Sequence, residues 1–166
     1  MSYSYLIVLF WKENHSKKSK LNTSLRIKLI GACIKQENID SAMKIFSDII
    51  SENPDIVINQ ILILRLAALL VTNSRSEDAM TVLKHLKPSQ EKNPAKNTLI
   101  AVEKRVFQLL DVAVNSKNID LTLQLFNVLK DSEAFKMSQN ILLRVVKCHA
   151  IRFVLHPSFE LKDYLI

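Results

Sequence analysis

Glycine is almost absent from this chain, and proline and cysteine are scarce. The 166 residues include one glycine, four prolines and two cysteines. Sheets and barrels depend on turn residues, so this scarcity argues against them and favours helices. A single glycine, Gly31, also excludes a glycine-rich loop that binds phosphate. The hydrophobic fraction of 48% is enough for a packed core and argues against a disordered chain.

The sequence contains no group of residues that indicates an enzyme or a metal site. Cys33 and Cys148 each fall in an apolar run, where a free cysteine behaves as a small hydrophobic residue. The pair gives no disulfide framework, which suits a reducing compartment. On a helix, His149 points about 100° away from Cys148, and His156 lies two turns further on, so no shared metal site results. We therefore expect no catalytic residue, no metal site and no cofactor.

The apolar run over residues 5–11 is too short for a membrane span, which needs about 20 residues. The net charge is +7, and residues 1–30 contain six basic residues against one acidic residue. This balance favours a polyanionic partner, although the rest of the chain is close to neutral. Residues 1–22 partly resemble a mitochondrial presequence but lack arginine. The alternatives to a presequence are the second helix of a preceding hairpin and a gene-model boundary.

One apolar pattern predicts a pair of short helices joined by a tight corner. Four residues fall on one face of the first helix: Leu29, Ile30, Cys33 and Ile34. A polar corner follows over residues 35–38, and Asp40 is expected to cap the second helix. The apolar stripe of that helix comprises Ala42, Met43, Ile45, Phe46, Ile49 and Ile50.

The same pattern returns twice downstream, at uneven spacing. The tripeptide 38–40, Asn-Ile-Asp, recurs 80 positions later at 118–120. A weaker copy lies between them, in which Ala79 matches Ala42 at a distance of 37 positions. Arg65 falls where a packed residue is expected, so two alignments of this copy, one residue apart, are left. The steps of 37 and 43 positions are typical of a helical-hairpin repeat with a longer second connection.

These copies predict an all-α protein, an α-solenoid of stacked antiparallel helix hairpins over residues 23–155. Thr23 or Ser24 is the expected cap of the first helix. The helix at 57–72 is apolar on nearly all sides, so we expect it to be buried between its neighbours. Because solenoids usually end in a polar cap and the tail here is apolar, we expect the chain to be part of a longer array, or its open end to bind a partner. The predicted hairpins are 24–52, 57–87 and 98–131, followed by a helix at 134–154 and a tail at 156–166.

The run from Leu29 to Ile50 resembles a pentatricopeptide repeat. The matching residues are Leu29, Ile30, Ala32, Lys35, Asp40, Ala42, Met43, Ile45 and Phe46. Residues 109–126 match less fully, and the irregular style is similar to the leucine-rich pentatricopeptide-repeat proteins of animal mitochondria. The resemblance implies a non-catalytic module that binds single-stranded RNA, such as mitochondrial messenger RNA, and supports its stability and translation. It also implies a location in the mitochondrial matrix, with the cytoplasm as the alternative.

In that family, a polar residue two places before the leucine of each first helix reads a base edge. Here these positions hold Ile27, Leu64 and Phe107, none of which makes a base-specific hydrogen bond. Phe107 either stacks on a base or, as core frequencies favour, packs between helices. The basic groups either contact phosphates or belong to solvated helix faces. The candidate RNA-binding residues are Lys28, Arg65, Lys104, Arg105, Phe107, Arg144 and Lys147.

Two functions are therefore compared. RNA binding through the phosphate backbone follows from the resemblance and the basic residues. A protein–protein scaffold is favoured by the near-neutral repeat body and by the apolar residues at the base-reading positions. An enzyme is the third class, but no convergent acid, base or nucleophile supports it. In either case Phe46 and Phe126 are expected to be equivalent buried residues.

Overall fold

The protein is all-α in the part of the chain that the computed structural model describes, which comprises residues 22–88, 95–116, 118–132, 138–143 and 146. No strand occurs among these residues. Residues 139–143 are helical and belong to the predicted helix at 134–154, most of which lies outside the described residues. Residues 1–21 and the predicted tail at 156–166 also lie outside them. The helices are α1 (Thr23–Lys35), α2 (Ile39–Glu52), α3 (Gln60–Thr72), α4 (Ser76–Leu83), α5 (Lys96–Asn115) and α6 (Ile119–Asp131).

Two helix ends differ from the prediction by three or more residues. α3 begins at Gln60 rather than at 57, because the Asn59 side chain accepts a hydrogen bond from a first-turn N–H at 2.9 Å and fixes the start there. α4 ends at Leu83 rather than at 87. The N–H groups of His85 and Leu86 bond to carbonyls three residues back, which tightens the chain before Pro88.

Asparagine side chains cap four of the six helices, which corrects the predicted caps. Asn22 caps α1 in place of Thr23 or Ser24. Asn38, two residues before Asp40, caps α2 by accepting a hydrogen bond from a first-turn N–H at 3.2 Å. Asp40 lies exposed in the first turn, where a negative charge is favourable at the positive end of the helix dipole. The other asparagine caps are Asn59 and Asn118.

Buried residues recur at the spacing of the sequence pattern. Several buried residues of the first hairpin have counterparts 37 and 80 positions further on, and all three members of such a set are at most 1% exposed. Because Leu66 is the buried counterpart of Leu29, the register of the second copy does not slip at Arg65. Four such sets are Leu29, Leu66 and Leu109; Cys33, Leu70 and Ala113; Ala42, Ala79 and Thr122; and Ile45, Val82 and Leu125.

Helices pack within each hairpin and between successive hairpins. α1 packs on α2, α3 on α4, and α5 on α6. Between hairpins, α3 contacts both α1 and α5, and α4 contacts α6. α3 also contacts α2, so four helices surround it, and six of its thirteen residues are buried. The prediction that this apolar helix lies between its neighbours is confirmed.

Phe46 and Phe126 differ in burial, although they are 80 positions apart as predicted. Phe46 is 3% exposed, and its ring meets the His85 ring edge-on with centroids 5.6 Å apart. Phe126 packs against the same core but is only partly buried. The His85 ring that meets Phe46 belongs to the second hairpin, whereas Phe126 belongs to the third and last hairpin of the described chain. The prediction of equal burial is therefore wrong for Phe126.

The corners of the first two hairpins share one backbone structure. Glu37 and Ser74, 37 positions apart, have φ angles of 55° and 59° in the left-handed region. The N–H groups of Asn38 and Arg75, the next residues, donate to carbonyls five residues back at 3.0 and 2.9 Å. This bond, together with one from each left-handed residue to the carbonyl three residues back, is the Schellman motif that ends many helices.

Arg75 connects the second corner to the first hairpin. Its Nε donates to Asp78 at 2.7 Å, and its Nη1 donates to Asp40, at the start of α2, at 2.6 Å. The hydrogen bonds to Asp78 and Asp40 raise the pKa of Arg75 above its ordinary value. The carboxylate of Asp40 therefore contributes to the contact between hairpins rather than to a helix cap.

Candidate nucleic-acid interface

An open cavity of about 270 Å³ lies between the first helices of the three hairpins. Its floor is formed by α3, and α1 and α5 form its two sides. The first helices meet there because α3 packs against both α1 and α5. The cavity is lined by Ile34, Glu37, Leu64, Arg65, Ala68, Leu69, Thr72, Arg105 and Gln108.

Two of the predicted RNA-binding residues, Arg65 and Arg105, line this cavity together. Arg65 is half-buried and forms no hydrogen bond or ion pair with any described residue. Arg105 is also half-buried, and its Nη1 donates to Oε1 of Gln108 at 2.6 Å. Both guanidinium groups keep N–H donors for a ligand, and this planar group can bind a phosphate or carboxylate through two hydrogen bonds.

Glu37 is the one acidic residue of the lining. Its position follows from the first corner, because the Schellman hydrogen bonds hold its backbone at the end of α1. Glu37 forms no ion pair with Arg65 or Arg105 in the described structure. The lining therefore has two cationic groups and one anionic group, and a small excess of positive charge.

Three other predicted residues, Lys28, Lys104 and Phe107, do not line the cavity. Lys28 is exposed on α1, and Lys104 is exposed on α5. Phe107 is partly buried and packs against the core, as expected of a residue between helices. Arg144 and Lys147 lie outside the described residues. Of the five candidates that the structure describes, two lie together at the cavity.

The three positions that the resemblance assigns to base reading are Ile27, Leu64 and Phe107, and all three pack in or against the core. Leu64 is fully buried, and Ile27 and Phe107 pack against the core while being partly exposed. This packing agrees with the apolar character of the three side chains.

Sequence reasoning missed Glu37, Thr72 and Gln108 as polar residues of the lining. Gln108 could have been found, since the spacings of 37 and 80 make it the counterpart of Lys28 and of Arg65. Glu37 had no comparable signal, because it lies in a polar corner to which the pattern assigned no role.

No helix in the described ranges is both long and apolar enough to cross a membrane. Within the same ranges, no three histidine, cysteine, aspartate or glutamate side chains group closely enough to hold a metal ion. Comparisons with protein-family models, with curated proteins and with solved structures found no match for this chain.

Proposed function

We propose that this chain is a non-catalytic RNA-binding module, an α-solenoid of stacked antiparallel hairpins that acts in mitochondrial RNA metabolism. The solenoid is supported by the repeated buried positions at steps of 37 and 43 residues. It is also supported by contacts between first helices and between the second helices α4 and α6. Stacking of this kind gives one surface made of first helices, on which a long ligand can lie.

The observation that carries RNA binding is the convergence of Arg65 and Arg105 on one open cavity between first helices. Neither arginine is paired with an acidic side chain in the described structure, so both are available to phosphate oxygens. Binding would neutralise phosphates and release counterions, and affinity would fall steeply as salt is raised. The mitochondrial location rests on the resemblance of residues 29–50 alone, with the cytoplasm as the alternative.

Charge reversal at the cavity tests this proposal. Affinity for a fluorescein-labelled single-stranded RNA of mixed sequence would be measured by anisotropy over a series of salt concentrations. The double variant Arg65→Glu, Arg105→Glu should bind at least about tenfold more weakly than the unaltered chain. Each phosphate contact contributes about 0.7 to the slope of log affinity against log salt, so the slope should fall by about 1.4.

A matched control is the double variant Lys84→Glu, Lys130→Glu, which changes the net charge equally. Both lysines are exposed, one just after α4 and one on α6, and neither lines the cavity. The control should lose much less affinity than the cavity variant. Equal losses in the two variants, or an affinity that does not change with salt, would contradict binding at the cavity.

A protein-binding scaffold is the second candidate, and a pair of exposed apolar side chains favours it. Leu99 and Ile100, in the first two turns of α5, are 49% and 54% exposed. If this pair binds a protein, a pull-down after nuclease treatment should recover that protein, and Leu99→Ser with Ile100→Ser should abolish the recovery. RNA binding by the cavity should be unchanged in the same variant.

A further inference from the structure

Glu37 is an acidic residue in a cavity that otherwise offers positive charge. Phosphate binding alone gives no reason for a carboxylate beside Arg65 and Arg105, because the negative charge repels the ligand. Glu37 also forms no ion pair with either arginine, so it does not serve to position them. The lining therefore presents an acceptor that is free to meet a donor on the ligand.

The backbone of the first corner does not require a glutamate at this position. The second corner has the same left-handed conformation and the same hydrogen bonds with Ser74. Glycine adopts this conformation at lower cost than either residue. The turn thus fixes the backbone of Glu37 where the residue lines the cavity, and its exposed side chain is left for another task.

We propose that Glu37 makes this cavity select nucleotides whose base carries an exocyclic amino group, with cytosine favoured over uracil. This inference rests on the proposed RNA-binding function. A phosphate bound by Arg65 and Arg105 would place the attached nucleotide at the same open cavity, which Glu37 also lines. The carboxylate of Glu37 would then accept a hydrogen bond from the amino group.

Cytosine and uracil differ at C4, the position whose substituent would meet the carboxylate of Glu37. Cytosine carries an amino donor at C4, which glutamate accepts in known base contacts. Uracil carries a carbonyl oxygen there, and its single N–H donor lies between two carbonyl oxygens that would repel the carboxylate. Gln108 supplies a second polar group to the same cavity, and its Oε1 is already bonded to Arg105, which leaves its amide N–H₂ to donate.

The test compares a cytidine dodecamer with a uridine dodecamer, both labelled with fluorescein, by anisotropy at one salt concentration. The two RNAs have equal charge and bases of similar size. The unaltered chain should bind the cytidine oligomer about fivefold more tightly, as expected of one net hydrogen bond. In Glu37→Gln, the side-chain amide can also donate to the uracil carbonyl, so the preference should fall below about twofold, chiefly through tighter binding of the uridine oligomer.

Glu77→Gln is the matched control, because it removes the same charge by the same chemical change. Glu77 is exposed in the first turn of α4 and does not line the cavity. This control should retain the full preference for cytidine. Equal affinities of the unaltered chain for the two oligomers, or a preference that persists in Glu37→Gln, would overturn the role of Glu37. Absence of binding to either oligomer would instead overturn the proposed RNA-binding function.

Discussion

The corners of the first two hairpins have the same backbone and different side chains. Both end their first helix in a left-handed residue with the same pair of hydrogen bonds. At the next position, the Asn38 side chain caps α2. The Arg75 side chain contains no acceptor atom and so cannot cap α4. It donates hydrogen bonds to Asp78 and Asp40 instead. Backbone hydrogen bonds and the packed residues on either side therefore specify the turn. The side chains on it are free to cap a helix, join two hairpins or line a cavity.

Packing beside the corners should matter more for stability than the corners themselves. Phe46→Ala removes a buried ring that the second hairpin covers, and we expect it to lower the free energy of unfolding by about 3–5 kcal/mol. Phe126→Ala should cost less, because Phe126 is only partly buried. Urea unfolding followed by circular dichroism measures both. A loss below about 1 kcal/mol at Phe46 would mean that the repeat register is mistaken.

The two corners should respond differently when the residue after the left-handed position is replaced. Asn38→Ala removes the cap of α2 and should lower the free energy of unfolding by about 1 kcal/mol, independently of salt. Arg75→Ala removes exposed ion pairs, so its effect should be smaller and should decrease as salt is raised. Urea unfolding at low and high salt distinguishes the two. A salt-dependent loss at Asn38 would show that charge rather than capping acts there.

Glycine at either left-handed position should stabilise the protein. A residue with a Cβ is strained in this conformation, and glycine is not, although glycine also loses more entropy on folding. Ser74→Gly should therefore raise the free energy of unfolding by about 0.5–1 kcal/mol, and Glu37→Gly should do the same. Thermal unfolding of the two variants checks this. If only one of the two variants is stabilised, the two corners do not share the same backbone conformation.

Gly31 provides a smaller test of whether the first two hairpins are equivalent, since its counterpart in the second hairpin is Ala68. An added Cβ at Gly31 would lie 3.7 Å from Cδ1 of Leu62, which is an ordinary contact. Gly31→Ala should therefore gain about 0.5 kcal/mol from the better helix propensity of alanine. Destabilisation in urea unfolding would indicate that α1 and α3 approach more closely than this distance implies.

The smallest expected effect is a pH dependence from His85, which covers Phe46 of the first hairpin. Burial, with a contribution from Lys87, lowers the pKa of His85 below its ordinary value of 6.5. The imidazole therefore binds a proton more readily in the unfolded chain than in the folded one. The contribution of His85 to the free energy of unfolding is fully present above pH 6.5 and declines as the pH falls through the folded-state pKa. Melting temperatures at about pH 7.5 and pH 5.5 should differ less in His85→Gln than in the unaltered chain. An unchanged difference would exclude His85 as a source of the pH dependence.

The hydrophobic pattern predicted the helices and most of the core. The burial of Leu29, Ile45 and their counterparts follows directly from helical periodicity, because one face of each helix must leave water. Helix starts were harder, since Asn38 and Asp40 are both good caps and only the backbone path decides which side chain reaches a free N–H. The partial exposure of Phe126 was not predictable, because it depends on what the neighbouring hairpin places over the ring.

The cavity was predicted only in part. Arg65 and Arg105 were identified by charge, yet nothing in the sequence showed that they share a cavity while Lys28 and Lys104 do not. That distinction depends on the packing of α5 against α3, which crosses the long connection between the second and third hairpins. Glu37 was assigned only to a polar corner, since a local pattern does not show whether a turn residue lines a cavity between helices.

The four helices around α3 set an order in which the molecule opens. Amide hydrogens of α3 become accessible to solvent exchange only after α1, α2, α4 or α5 has moved away, so they should be the last in the described chain to exchange. A protease that attacks the outer segments first would leave this helix in the most persistent fragment. The helix that forms the cavity floor should thus also be the most slowly exchanging of the six helices, so Arg65 and Leu69 are carried by the most protected element.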